Sequence, residues 1–133
     1  MQLRVTIHDN AEPATAADRN QLETILKSAS DEAQAKNMLG AVILEAENGN
    51  LITMVVGGQE TVLGFEFDHL EPPYYASRGE SDEDEPVLTC FLTFEHHTEF
   101  RRRNVIPYAD GLKAVAEFLD SGELPTYINW EEV

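Results

Sequence analysis

The chain has 133 residues, 42% hydrophobic and 8% aromatic, enough to bury a core as one domain without disulfides or metal. Its 25 acids outnumber 9 bases for a net charge of −16. That excludes attraction to nucleic acid or anionic lipid and leaves two uses for the charge, a basic protein partner or plain solubility. A single cysteine, Cys90, rules out an internal disulfide and suits a reducing compartment.

The opening residues, MQLRVTIHDN, lack the basic start and apolar core of a secretory leader. No apolar run approaches the roughly 18–20 residues that cross a bilayer, so a cytoplasmic protein is expected. Residues 3–8, LRVTIH, alternate and are β-branched, as in a strand. Thr15, with Asp18 in the first turn, reads as a helix start. Leu22, Ile25, Leu26, Ala29 and Ala33 share a face, which predicts a helix from about 15 to about 29. Its continuation toward Lys36 is polar enough to be partly loop.

Three strands follow. AVILEAE (41–47) ends at Asn48-Gly49-Asn50, a hairpin signal, and LITMVVG (51–57) is apolar enough for a central strand. Gly57-Gly58 marks another tight turn, and TVLGFEFD (61–68) puts Leu63, Phe65 and Phe67 on one face. The connection 69–86 is too long for an ordinary hairpin, a length usual for functional or disordered loops. VLTCFLTFE (87–95) alternates with Leu88, Cys90, Leu92 and Phe94 inward, and HHTEFRRRNVI supplies a turn and a short basic segment. Pro107 suits a first helical residue, and Leu112, Val115, Ala116 and Leu119, with Phe118 beside them, line a second helix. Gly122 caps it, Pro125 prevents its resumption, and TYINW (126–130) is a last short strand. The expected fold is α+β: a single antiparallel β-sheet of about five to seven strands, two α-helices packed on one face, and one domain over 1–133.

Signals for chemistry are weak. Cys90, His96, His97 and Glu99 are all potential ligands, but adjacent strand histidines face opposite ways and no closed-site spacing is present. No metal and no cofactor is expected. There is no Gly-x-Ser-x-Gly elbow, and Gly57-Gly58 is not followed by a phosphate-loop lysine, so catalysis is not expected. The three arginines of FRRRNVIP (100–107) are expected to pair with acids of the same chain.

The segment PPYYASRGESDEDEP (72–86) differs in kind. Residues 71–85 hold six acids and one base, a net −5 that leaves −11 spread over the rest of the chain. Rigid aromatics beside directed negative charge suit a basic, concave protein surface. Tyr74, Tyr75, Glu80, Asp82, Glu83, Asp84 and Glu85 are therefore the candidate partner-binding residues. The alternative is an acidic loop whose tyrosines fold back onto the sheet.

The last third carries Ile106-Pro107 before the helix, LKAVAEFL within it, SGELP (121–125) after it, and Trp130-Glu131. In these features it resembles the immunity protein one family of bacterial polymorphic toxin systems. Upstream, LITMVVGGQETVLGFEF resembles that family's central hairpin with its Gly-Gly turn, and YYASRG the segment that follows. The resemblance covers most of the chain from about residue 40; the first strand and helix match only in kind, and the acidic run 80–85 is a departure. It implies a non-enzymatic cytoplasmic protein that neutralises a cognate toxin, often a nucleic-acid deaminase with a basic active-site groove. No direct nucleic-acid or membrane contact is expected, and the charge opposes close self-association, pointing to a monomer. The competing reading is an acidic adaptor or chaperone-like module that binds a basic partner without inhibiting an enzyme. Gly122, Pro125 and Trp130 are expected to serve the fold rather than the interface.

Overall fold

A computed structural model describes residues 2–7, 12–91 and 97–133, with the backbone alone at 88–91, 97 and 98. The alternating β1 (Leu3–Thr6) pairs with β2 (Ala14–Ala16) on one side and with β3 (Leu39–Ala46) on the other. The path continues through β4 (Leu51–Val56), β6 (Leu63–Glu66), β7 (Tyr74–Arg78) and β11 (Asn129–Glu132). Every pairing along it is antiparallel. A branch departs from the start of β3, where β8 (Pro86–Phe91) pairs in parallel and carries β9 (His97–Arg101). β5 (Glu60–Thr61) and β10 (Ile106–Pro107) form a separate two-stranded piece. The chain is thus the expected α+β fold built on one large sheet with two helices.

The period of two puts one row of side chains on the helix side of the sheet: Val5, Leu44, Ile52, Phe65 and Tyr75 lie opposite one another on neighbouring strands. Against them pack Leu22, Leu26 and Ala29 of α1 (Arg19–Ala35) and Ala114, Val115, Phe118 and Leu119 of α2 (Tyr108–Ser121). Phe65 is fully buried and meets Phe67, Phe118 and Trp130 edge-on, at centroid distances of 5.1, 6.1 and 6.3 Å. Each such large side chain contributes roughly 1.5–3 kcal/mol through burial. Trp130 also donates its indole N–H to the Pro125 carbonyl at 2.8 Å, which seats β11.

Several boundaries differ from those expected. Residues 14–16 join the sheet as β2, so α1 starts at Arg19, with the Asp18 carboxylate accepting from the Gln21 N–H at 2.8 Å. The helix continues to Ala35 because Ala29 and Ala33 extend the buried stripe. Lys27–Asp31 and Lys36–Glu32 pairs hold its polar side at 3.0 and 3.3 Å. Pro107 caps α2 from outside, and Gly122 ends it in the left-handed conformation at φ 69°. Asn48 and Asn50 both donate to the Gly122 carbonyl, at 2.9 and 2.8 Å, tying that end to the β3–β4 turn. The last strand lies at 129–132 rather than 126–130. The segment 69–86 is not one long loop, because Tyr74–Arg78 is a strand inserted between β6 and β11. The inward positions expected at Leu92 and Phe94 lie outside the described residues, as do the side chains of Leu88 and Cys90.

Candidate functional site: an acidic loop held by an arginine clasp

Because β7 alternates, its two tyrosines part company. Tyr75 turns to the helix side, against the core and edge-on to Phe67 at 6.3 Å. Tyr74 lies on the opposite face, half-buried, and its hydroxyl donates to the Leu70 carbonyl at 2.9 Å. The acidic loop leaves from the other end of β7, roughly 13 Å along the strand from Tyr74. The seven predicted residues therefore occupy three places: the sheet's helix side, its open side and the loop.

The loop is bound by its backbone to the 3-10 turn, Arg102–Asn104, that follows β9. Gly79 N–H donates to Arg103 O at 2.7 Å, Arg103 N–H to Glu83 O at 2.9 Å, and Arg102 N–H to Glu85 O at 3.0 Å. Only glycine allows the approach at position 79, since a Cβ there would overlap the Val105 carbonyl oxygen. Arg78 reinforces the closure, donating to the carbonyls of Gly79 and Arg103 at 3.2 and 3.1 Å, to the Ser81 carbonyl, and to the Asp82 carboxylate.

Arg103 is the second clasp. One terminal nitrogen donates to Asp84 at 3.0 Å and the other to Glu131 of β11 at 2.7 Å. Arg101 approaches Asp84 at 3.9 Å. Asn104 donates to the other Glu131 oxygen at 2.6 Å and to the Ser77 carbonyl at 3.0 Å. Ser77, fully buried, donates to the Asn104 carbonyl at 2.7 Å and accepts from Leu63 N–H at 3.0 Å. The hydrogen bond from Arg103 holds the Asp84 carboxyl below its ordinary value, with the neighbouring arginine charges adding to it. Asp84 and Glu131 in turn raise Arg103 above its ordinary value, so this pair is ionised throughout the physiological range.

This sorts the predicted acids. Glu80, Asp82, Glu83, Asp84 and Glu85 are all exposed. Asp82 and Asp84 spend their carboxylates on Arg78 and Arg103, while Glu80, Glu83 and Glu85 have no side-chain partner among the described residues. The arginines of the 100–107 stretch pair internally as expected, Arg101 and Arg103 with Asp84 and Arg102 with Glu60 at 3.0 Å. What results is an ordered loop with three carboxylates unpaired among the described residues, an arrangement suited to recognising positive charge.

The family model for Immunity protein Imm1 matches residues 6–132. The chain belongs to the Immunity protein Imm1 family. The match takes in α1, which resembled the family only in kind, and it implies an immunity protein with a cognate toxin as partner. A comparison with curated proteins finds no match. In this Imm1 protein the residues that sequence reasoning passed over are Arg78, Ser77, Asn104 and Glu131, which build the clasp. No spacing rule joins them, because Asn104 lies 27 residues from Ser77, Arg103 lies 25 from Arg78, and Glu131 reaches them only through β7–β11 pairing.

Of the ligand set considered for this Imm1 protein, His96 lies outside the described residues, as do the side chains of Cys90 and His97. Glu99 is exposed. Among the described residues no three His, Cys, Asp or Glu side chains converge as a metal site. No described helix is long and apolar enough to cross a membrane.

Proposed function

We propose that the chain is a cytoplasmic, non-enzymatic inhibitor that neutralises a nucleic-acid-targeting toxin, of the deaminase class, by stoichiometric binding. The observation that carries this reading is the clasped loop, with family membership behind it. A toxin that acts on nucleic acid must present a basic groove, and deaminases place theirs around a zinc-activated water. Glu80, Glu83 and Glu85, free and outward, meet that charge. Asp82 and Asp84 hold the loop in register through Arg78 and Arg103, and add to the same field. Tyr74 supplies a half-buried ring on the open face, and Tyr75 anchors its strand from the core side.

Charge of this kind acts chiefly on the encounter rate, while packed contacts slow release. Replacing Glu80, Glu83 and Glu85 together with serine is expected to lower the association rate with the purified toxin domain roughly tenfold and to flatten its salt dependence. Stopped-flow mixing at several ionic strengths measures both. Unchanged association would remove the loop from the interface. An immunity role as such is tested separately, by whether the wild-type chain abolishes the toxin's activity at one-to-one stoichiometry.

A further inference from the structure

A sheet covered by helices on one side ordinarily turns polar side chains outward on the other. Here it does not. The outward row across the sheet reads Thr6, Ile43, Thr53, Gly64 and Ala76, each opposite the next on the neighbouring strand. The adjacent outward row reads Arg4, Glu45, Leu51, Glu66 and Tyr74. Ile43, on the third strand of the face, is 43% exposed. One end of this face is covered, where Val55, Val62 and Val105 pack with Leu39, Ala41 and Phe100. Among the described residues nothing extends that cover over Ile43.

A second observation lies at the Tyr74 edge. Leu70 has φ 56°, in the left-handed region that bulky residues avoid, and its side chain is 55% exposed. The Tyr74 hydroxyl holds its carbonyl, and its own N–H donates to the Phe67 carbonyl at 2.9 Å. A strained turn that holds an apolar side chain in water gains nothing for the fold, and such outliers collect at binding sites. Ile43, Leu51, Glu66 and Tyr74 thus surround a floor of Thr53, Gly64 and Ala76, with Leu70 tied to the Tyr74 edge through its carbonyl.

The charge around that floor selects its occupant. Glu66 is exposed with no side-chain partner among the described residues, and Glu45 is held by Arg4 at 3.7 Å. The acidic loop lies beyond the other end of β7. A second copy would bring −16 against −16 with Glu66 in the contact, and lipid or nucleic acid is repelled by the same field. The fitting surface has an apolar centre and a basic rim.

We propose that this open face of the sheet, centred on Ile43 and edged by Tyr74 and Leu70, is the apolar seat of the toxin, with the acidic loop beside it steering approach. The inference rests on the immunity reading and assigns its affinity to residues outside the acidic loop. Ile43 and Leu70 govern release, whereas Glu80, Glu83 and Glu85 govern encounter.

The test uses the full chain and its cognate toxin domain, the latter as an inactive variant, with binding followed by surface-immobilised kinetics. Wild-type chain binds; if it does not, the immunity reading fails and the seat with it. Ile43→Arg is expected to raise Kd about 30-fold, mostly through faster dissociation, as loss of a central anchor does. Leu70→Asn, a residue at ease in the left-handed region, is expected to keep or raise the melting temperature while raising Kd about tenfold. A merely structural Leu70 would not separate those two readouts. Ile43→Ala keeps the test open should the arginine disturb folding. Tight wild-type binding with all three variants indistinguishable from it would overturn the seat and leave the immunity reading standing. A wild-type dimer in sedimentation that Ile43→Arg dissolves would also overturn it, assigning the face to a second copy.

Discussion

Arg103 joins three segments distant in sequence: the acidic loop through Asp84, the last strand through Glu131, and its own 3-10 turn. A planar fork can hold two carboxylates at once, whereas an ammonium is a single point of charge. Arg103→Lys is therefore expected to keep one pair and lose the other, and Arg103→Gln to lose both. Amide hydrogen exchange at Gly79 and Arg103, whose bond closes the loop, should accelerate in that order. The pH dependence has a definite sign. Asp84 is held below its ordinary 3.8, first by the Arg103 hydrogen bond, so the folded state prefers the carboxylate. Its contribution is fully present above 3.8 and is lost as pH falls through the lower folded value. An NMR titration should show the loop releasing only in that acid range, and Asp84→Asn should abolish the step.

Among the elements, β7 departs most from the sequence pattern. Proline before it, two tyrosines and an Arg-Gly turn within the acidic segment read as loop, yet Tyr74–Arg78 pairs on both edges. The pairing explains why Gly79 is placed where it is. Gly79→Ala puts a methyl against the backbone carbonyl of Val105, which cannot rotate away, and should cost about 1–3 kcal/mol while loosening the clasp. Chemical denaturation gives the first quantity and amide exchange the second. In α2, Gly111 shows two effects in opposition. Alanine gains about 1 kcal/mol of helix propensity. Its Cβ, however, would lie 2.6 Å from Thr61 Cγ2 and 3.3 Å from Met54 Cε. Thr61 cannot swing away freely, because its hydroxyl donates to the Val55 carbonyl at 2.7 Å. Overpacking wins, and Gly111→Ala should lose about 1–2 kcal/mol in the same denaturation experiment.

For the molecule as a whole, the proposed complex divides its binding between the −16 charge and the open face of the large sheet. Long-range attraction is screened by salt, and packed apolar contact is not. Raising the ionic strength should therefore slow association with the toxin while leaving dissociation nearly constant. A dissociation rate that rose in step with salt would place the ion pairs, rather than the sheet face, at the centre of the contact.

The sequence by itself determined the fold class, both helices, the central meander, the Gly122 cap and the structural use of Trp130. Each of these rests on local periodicity or turn chemistry, which a linear pattern carries intact. It also located the acidic loop and expected the internal pairing of the 100–107 arginines. The tertiary structure alone decided which acids are spent on Arg78 and Arg103 and which remain free. It alone turned Tyr75 into the core and Tyr74 outward, and left Ile43 uncovered on a helix-free face. Those outcomes depend on strand order and register, which bring residues 78, 103 and 131 together across the chain. A period of two shows that a strand has two faces, but not which of them the rest of the chain will cover.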